Sequence, residues 1–297
     1  MIVKVGTPEL NLSYNIRDFS LFQEEEALEP RIRKLREMEE VFFSRDFMSS
    51  ADKETALNYM YRDIARSEER GVIEEMGLRY DLTIMPPLLL ERDYKKTIGH
   101  YHLIAEGNLT YPQIYEVLDR KAHHLLQKPW GDDVLDVALV EAGREDKVLI
   151  PPNYGHIIIN PSPSELEMAN WVSSRFTSAY RPILDRRGGA YFEMLDHKSI
   201  KNGRYPKLPP LRRITASEVE WYPRTRDVYT IFLQRPGLLV FLNNSSECHH
   251  LEMIARGGRR VLRRGEGGYW RGSARPWFTL HDLHEYWHQL RAALQGP

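Results

Sequence analysis

A series of short apolar or alternating runs in the middle of the chain restricts its fold more than any other feature. The runs lie within residues 78–162 and read LRYDLTIMPPLLLE, TIGHYHLIAE, QIYEVLDRKAHHLLQ, VLDVALVEA and KVLIPPNYGHIIINPS. Turn-forming residues such as Pro-Pro, Glu-Gly-Asn, Gly-Asp-Asp and Ala-Gly-Arg separate them. Five or more short strands at this spacing indicate an antiparallel barrel or sandwich, and the following ELEMANWV is expected to continue the sheet.

The segments before these runs have a different pattern. Residues 30–43 carry apolar side chains at helical spacing with charged residues between them, which predicts a helical arm before the barrel. The apolar positions are Ile32, Leu35, Met38 and Val41. The next segment, SSADKETALNYMYRDIARSEERGV, opens with residue types that cap helices, but Tyr59, Tyr61 and Ile64 leave open whether it is a helix or a strand.

The pattern changes again after about residue 185. The proline-rich YPKLPPLRR suits an extended linker, and VYTIFLQRPGLLVFLNN is either a hairpin or two short helices separated at Pro236. TLHDLHEYWHQLRAAL has one apolar stripe and predicts an amphipathic helix. We therefore divide the chain into an N-terminal arm (1–45), a barrel domain (46–190) and an α-rich C-terminal extension (191–297).

Composition excludes several classes of protein. The 297 residues include 41 Lys and Arg against 42 Asp and Glu, so the formal charge of −1 gives no general attraction to nucleic acid or anionic membranes. Cys248 is the single cysteine, so no disulfide can form within the chain. No apolar run approaches the about 20 residues that span a bilayer. We expect a soluble cytoplasmic protein with no nucleic-acid or membrane partner.

A His-x-His pair is the main candidate site. Residues two apart in a strand point to the same face, so His100 and His102 are expected to point into the barrel together. Gln113 lies on the next such run, and His156 begins a later one. Three imidazoles and one oxygen ligand that converge in a small barrel form a divalent metal site with open positions. The alternative is that these are ordinary polar residues on strand faces.

The same segments carry a resemblance to a known family. TIGHYH, YPQIYEVL, LLQ and IPPNYGHIIIN, together with IRKLREMEEVFF upstream and ANWVSSRFTSAYRPILDRRGGAYFE downstream, resemble the cupin-type (archaeal-type) glucose-6-phosphate isomerases over residues 30–195. The resemblance implies a mainly β fold, with a cupin barrel (a double-stranded β-helix or jelly roll), a helical arm before it and an α-rich extension after it. It also implies an enzyme that interconverts an aldose and a ketose.

The resemblance further implies which residues bind the ligands. One divalent ion (iron, manganese, zinc or nickel) would be held by His100, His102, Gln113 and His156. The anionic group of the sugar would be bound by residues that donate hydrogen bonds without bulk. These are Thr83, Thr97, Gly99, Tyr180 and Tyr61.

Gln113 departs from the family, which has glutamate at this position. An amide oxygen can coordinate a metal ion, but it cannot act as a general base, and it leaves the site with a charge of +2 in place of +1. A hydride shift tolerates this change, whereas proton transfer through an enediol needs another base. Glu116 is expected to face away, and Glu106 reaches the site only if its loop folds over the pocket. The candidate catalytic residues are therefore Gln113, His102 and Glu106.

Other motifs compete with this interpretation. HEYWH at residues 284–288 fits the zinc-protease pattern H-E-x-x-H on a predicted helix, but none of the nine residues after His288 is Asp, Glu or His. Residues 255–275 contain seven arginines with two aromatic residues, a pattern of either nucleic-acid contacts, a subunit contact or a solvated basic loop. We favour a docking helix for the first and a solvated loop for the second.

The sequence therefore predicts a metal-dependent aldose–ketose isomerase. Its substrate would be a hexose with an anionic group at carbon 6, most simply glucose 6-phosphate, which becomes fructose 6-phosphate. One alternative is an isomerase of another anionic sugar, such as the sulfonated hexose sulfoquinovose. A second alternative is a non-catalytic sugar-phosphate-binding protein in which Gln113 marks lost chemistry. We also expect a homodimer.

Overall fold

The computed structural model describes residues 1–88, 90–216 and 227–248. It is mainly β, as predicted. The strands are β1 (Ile2–Val5), β2 (Leu12–Asn15), β3 (Leu21–Gln23), β4 (Glu26–Leu28), β5 (Arg31–Lys34), β6 (Ala56–Tyr61), β7 (Leu78–Met85), β8 (Lys95–Lys96), β9 (Tyr101–His102), β10 (Ile104–Glu106), β11 (Leu109–Thr110), β12 (Gln113–Asp119), β13 (Lys121–Trp130), β14 (Asp133–Gly143), β15 (Lys147–Ile150), β16 (Gly155–Asn160), β17 (Leu166–Ser173), β18 (Ser178–Ala179), β19 (Tyr191–Glu193), β20 (Ser199–Lys201) and β21 (Arg212–Thr215). The α-helices are α1 (Ser67–Glu75), α2 (Arg181–Leu184) and α3 (Val228–Gln234).

Two sheets form the centre of the molecule. The six-stranded sheet has the order β15-β12-β17-β7-β6-β5, and the five-stranded sheet has the order β21-β14-β13-β16-β8. The chain passes from one sheet to the other between β7 and β8, between β12 and β13, and again around β15, β16 and β17. Neighbouring strands are antiparallel except β14 and β21, which are parallel. This two-sheet arrangement is that of a jelly roll, the architecture to which cupin barrels belong.

Apolar side chains cover both faces of the central strands. Val117, Leu126, Val140 and Met168 belong to the cluster between the two sheets. On the outer side of the six-stranded sheet, Trp171 packs within a second cluster and its indole Nε1 donates to the carbonyl oxygen of Val228 (3.0 Å). All eight residues of β17 are buried as a result. Burial on both faces explains why the strand sequences are runs of apolar residues with little alternation.

The predicted helix at residues 30–43 is wrong. The segment begins with β5, which pairs with β6, and continues as two short 3₁₀ turns, Leu35–Glu37 and Glu39–Val41. The apolar spacing of three residues at Leu35, Met38 and Val41 suits 3₁₀ turns, in which residues i and i+3 lie on one side. These three side chains are buried in the cluster on the outer side of the five-stranded sheet. Further upstream, β1 to β4 form a separate sheet, so the N-terminal arm is not helical.

The described part of the C-terminal extension contains both strands and helices. β21 joins the five-stranded sheet beside β14, and α3 is followed by a 3₁₀ helix over Pro236–Leu242. The segment around Pro236 is therefore two short helices and not a hairpin. The predicted amphipathic helix, the HEYWH motif and the arginine-rich segment lie outside the described residues. The division into three domains remains a prediction. Within the described ranges, no helix is both long and apolar enough to cross a membrane.

Candidate metal centre

Two histidines that follow β8 meet a third from β16 between the sheets. The His100 amide donates to the His156 carbonyl oxygen (3.1 Å), and the His156 amide donates to the His100 carbonyl oxygen (3.0 Å). His102 lies two residues further along, in β9, and is paired with Ser178 of β18. One ring nitrogen from each imidazole lies within 4.8 Å of the other two. The strand pairing thus brings together the three histidines that the sequence predicted.

One hydrogen bond determines which ring nitrogen of His102 carries the proton. Its Nδ1 lies 2.5 Å from the carbonyl oxygen of Tyr111, which can only accept, so Nδ1 carries the proton. The lone pair is then on Nε2, which has no hydrogen-bond partner in the described part of the chain, as is also true of His100 Nε2 and His156 Nδ1. A backbone carbonyl that holds the far nitrogen is the usual support of a metal-binding histidine. The hydroxyl of Tyr115 lies 3.3 Å from His156 Nε2.

Burial lowers the pKa of all three imidazoles. For His100 the neighbouring His102 and the positive charges of Arg62 and Arg33 lower the pKa further. Burial lowers the pKa of His102 to about 4. It lowers that of His156 well below its ordinary value, and His100 and His102 add to the effect. The three rings are therefore neutral at neutral pH, and neutral imidazole is the form that binds metal ions.

Gln113 lies beside this cluster at the first position of β12. It is 2% exposed, and its Oε1 has no hydrogen-bond partner among the described residues. Its side chain is near enough to His102 to oppose part of the pKa shift that burial causes there. Three buried ring nitrogens and one buried amide oxygen, all without partners in the described chain, are a donor set that fits a divalent transition metal.

The two glutamates considered as bases do not enter the site. Glu116 points to the opposite face, as expected. It lies 3.1 Å from Lys147 Nζ and accepts from the Val228 amide (2.7 Å), and burial raises its pKa to about 7. Glu106, at the end of β10, accepts from the Ser246 amide (2.8 Å) and does not line the cavity beside the histidines. Glu106, a candidate catalytic residue, could reach the site only if its loop folded over the pocket, and its carboxylate is instead turned toward the C-terminal segment.

A cavity opens next to the histidines. Its walls include most of the residues that the sequence predicted: Thr83, Thr97, Gly99, His100, Gln113, His156 and Tyr180. Thr97 Oγ1 accepts from the Ile158 amide (3.0 Å), which leaves its own proton free to donate to a ligand. Gly99 has φ +81°, and an added Cβ would lie 2.2 Å from Ile157 Cγ1. Only glycine therefore fits at this point of the wall.

Tyr61 is not part of the cavity, and its predicted role in binding the sugar is wrong. Its hydroxyl donates to the Phe19 carbonyl oxygen and accepts from the Leu21 amide (3.1 Å). Its ring lies in the cluster on the outer side of the six-stranded sheet. The neighbours Met60 and Arg62 line the cavity instead. In a strand a shift of one residue moves a side chain to the other face, so an uncertain alignment of a few residues is enough to cause this error.

Sequence reasoning missed four polar residues of the cavity. They are Arg33 in β5, Asn58 in β6, Arg62 immediately after β6, and Asn170 in β17. Had residues 56–61 been assigned as a strand, the alternation would have placed positions 58, 60 and 62 on one face. The mixture of helix-capping and aromatic residues in this segment hid that signal.

The sequence matches one family. A sequence model described as glucose-6-phosphate isomerase (GPI) matches residues 32–207, which is more than half of the chain. The histidine cluster, Gln113 and the whole cavity lie within the matched segment. A search of the curated proteins finds no match.

Similarity to solved structures is distant. Vicilin from Capsicum annuum has 8% identity and a TM-score of 0.32, over 42% of this chain and 31% of the vicilin chain. The 7S globulin from Momordica charantia has 12% identity and a TM-score of 0.30, over 50% and 35%. Recombinant oxalate oxidase in complex with glycolate has 12% identity and a TM-score of 0.28, over 41% and 51%. This chain thus spans about a third of the vicilin chain and about half of the oxidase, and similarity of this degree carries no inference about activity.

Proposed function

The chain belongs to the glucose-6-phosphate isomerase (GPI) family, and on this basis we propose that it is a metal-dependent aldose–ketose isomerase. Its substrate is a hexose with an anionic group at carbon 6, most simply glucose 6-phosphate, which becomes fructose 6-phosphate. One observation carries the proposal: three clustered histidines, each with a buried ring nitrogen that lacks a hydrogen-bond partner among the described residues, lie beside a cavity inside the segment that matches the family.

The site fits one divalent ion. His100, His102, His156 and Gln113 would hold it, and when bound it would act as a Lewis acid toward a carbonyl or hydroxyl of the sugar. All four ligands are neutral, so they leave the full charge of +2 at the site. The glutamate of the related enzymes would reduce that charge to +1. With Gln113 in place of glutamate, the ion would be bound less tightly but would stabilise negative charge on a sugar oxygen more strongly.

The residues of the cavity favour a hydride shift. Among its described lining residues there is no carboxylate, and Gln113 has no proton-accepting equilibrium near neutrality. In a hydride shift, the hydrogen on carbon 2 moves with its electron pair to carbon 1, and the proton of the carbon-2 hydroxyl passes to oxygen 1. Burial raises the pKa of Tyr115, so its hydroxyl stays protonated and able to donate to a sugar oxygen beside His156.

The anionic group is assigned to the wall formed by Thr83, Thr97 and Gly99. Both threonines can donate a hydroxyl proton, and the backbone of Gly99 lies on the same wall. Tyr180 lines the same cavity. These groups suit an oxyanion such as phosphate or sulfonate.

The proposal is tested by turnover. Metal-reconstituted protein is incubated with glucose 6-phosphate, mannose 6-phosphate and sulfoquinovose, and ketose formation is followed. We expect ketose from one of these anionic sugars and none after removal of the metal by a chelator. Ketose formation that is equally fast in the presence of the chelator contradicts the metal-dependent proposal. The homodimeric state and the cytoplasmic location remain predictions.

A second candidate function is supported by Gln113 itself. A protein that has lost its base would still bind the sugar phosphate, and the cavity has no carboxylate among its described lining residues. The variant Gln113→Glu separates the two candidates. We expect it to bind the metal ion roughly 10-fold or more tightly, because a carboxylate adds a negative charge beside the ion. Turnover by the hydride-shift route changes only modestly, because that route needs no base.

Isothermal titration with Mn²⁺ and the ketose assay measure the two effects of Gln113→Glu. Gln113→Asn is the matched control, since it keeps the amide and shortens the side chain. A wild type that is inactive on every anionic hexose, together with an active Gln113→Glu variant, identifies a binding protein. If Gln113→Glu changes neither metal affinity nor turnover, Gln113 is not part of the site.

A further inference from the structure

Two arginines line the cavity at the β5–β6 edge of the six-stranded sheet, whereas His156 lies in the five-stranded sheet. Arg33 in β5 pairs with Asn58 in β6, and Met60 in β6 pairs with Thr83 in β7. Asn58, Met60 and Arg62 follow one another on the same face and all line the cavity. Arg33 and Arg62 therefore lie on either side of Met60, next to the threonine already assigned to the anionic group.

The two guanidinium groups are held in place by other residues. Arg33 NH1 donates to Glu37 (2.8 Å), and its guanidinium lies over the ring of Tyr180, 5.4 Å from the centroid. Arg62 NH1 donates to Asp81 (2.7 Å). These contacts orient the groups and leave a net positive charge: Arg33 is paired with Glu37, but Arg62 shares Asp81 with a second arginine, Arg79, which donates to both of its oxygens (2.8 and 2.9 Å).

Buried polar atoms on the same walls lack partners. Asn58 Oδ1 and Asn170 Nδ2 have no hydrogen-bond partner among the described residues, although their side chains are 2% and 4% exposed. A buried donor or acceptor without a partner is costly, so such atoms point to a ligand that completes them. A sugar hydroxyl donates to an amide oxygen and accepts from an amide nitrogen, and therefore suits both atoms.

We infer that Arg33 and Arg62 determine the charge specificity of the cavity: they bind the anionic group of the hexose and so select phosphorylated or sulfonated sugars over neutral ones. The inference rests on the proposed function. Threonine hydroxyls and a backbone amide are neutral donors, which bind an anion and a neutral acceptor with little discrimination. A guanidinium forms charge-assisted, bidentate hydrogen bonds to an oxyanion and is weakly hydrated, which suits a partly buried wall.

The test compares the binding of glucose 6-phosphate with that of glucose by titration calorimetry on metal-loaded protein. We expect Arg33→Gln and Arg62→Gln each to weaken the binding of glucose 6-phosphate roughly 10- to 100-fold, the loss typical of one hydrogen bond to a charged group, and to leave glucose binding unchanged. Arg33→Lys and Arg62→Lys keep the charge and should lose less. Arg79→Gln is the matched control, since Arg79 shares Asp81 with Arg62 but does not line the cavity.

Melting temperature and metal content, measured for every variant, separate loss of folding from loss of charge. The inference is overturned if both glutamine variants keep the wild-type preference for glucose 6-phosphate, if Arg79→Gln loses it equally, or if the wild type binds both sugars alike. Isomerase activity is measured separately. If ketose forms but the preference for glucose 6-phosphate does not depend on the arginines, the inference is contradicted and the proposed function is supported. If the preference depends on the arginines but no ketose forms, the inference is supported and the proposed function is contradicted.

Discussion

We expect the double variant His100→Ala/His102→Ala to lose stoichiometric metal and to show no isomerisation above background. The reason is that two of the three clustered imidazoles are removed, and alanine supplies no ligand atom in their place. Loss of a residue that only supports a ligand lowers metal affinity roughly 10- to 100-fold, so loss of two ligands should lower it by more than 100-fold. Elemental analysis after dialysis and the ketose assay measure the two effects.

The chain supplies a matched control for this experiment. His284→Ala/His288→Ala also removes two histidines, in the motif that resembles a zinc-protease helix. We expect this variant to keep both metal and activity. Unchanged metal content in the His100/His102 variant, or loss of metal in the His284/His288 variant, would place the metal elsewhere in the protein.

A second large effect is expected at a buried ion pair outside the site. Asp93 is fully buried and lies 2.7 Å from Lys96 Nζ, and it also accepts from the amides of Phe43 (3.1 Å) and Ser44 (3.3 Å). Asp93→Ala leaves the Lys96 ammonium buried without its partner. Breaking a buried pair in this way lowers the free energy of unfolding by about 3–5 kcal/mol. Equilibrium urea denaturation measures the change.

Two further variants test the cause of this effect. Asp93→Asn/Lys96→Met removes both charges and should recover much of the loss, because no buried charge is left unpaired. Asp196→Ala breaks the exposed pair with Lys198 and should change the free energy of unfolding far less than Asp93→Ala does, because solvent screens the exposed pair. If Asp93→Ala costs no more than Asp196→Ala, the buried pair does not stabilise the fold. The ion pair also borders the candidate site, since Lys96 directly precedes Thr97, which lines the cavity.

The centre of the fold was predictable because its signals are local. Turn residues separate apolar runs between residues 78 and 162, and the structure has strands there. The two-residue spacing of His100 and His102 placed both histidines correctly in the same cluster. The positions of Gln113 and His156 followed from the resemblance to the family. These predictions depend on the period of a strand and on turn chemistry, and both can be read from one sequence.

The errors arose where one pattern fits two structures. A spacing of three residues at Leu35, Met38 and Val41 suits an α-helix or 3₁₀ turns, and only the pairing of β5 with β6 decides between them. Tyr61 was matched to a tyrosine of the related enzymes, and because its strand was not recognised, the alternation of faces could not correct that match. The approach of Arg33 to the cavity depends on which strand lies at the sheet edge, which is a long-range contact that no local pattern reveals.

The reciprocal backbone hydrogen bonds between His100 and His156 have a consequence for how a metal ion would be acquired. In small zinc domains the ligands come together only with the metal, and binding is coupled to folding. Here His100 and His156 are tied to each other through main-chain atoms, and the strand that holds His156 is buried. The apoprotein is therefore preorganised. Metal would add stability only by mass action, about 2.7 kcal/mol at a free concentration 100 times the dissociation constant, so ions can exchange without the protein unfolding.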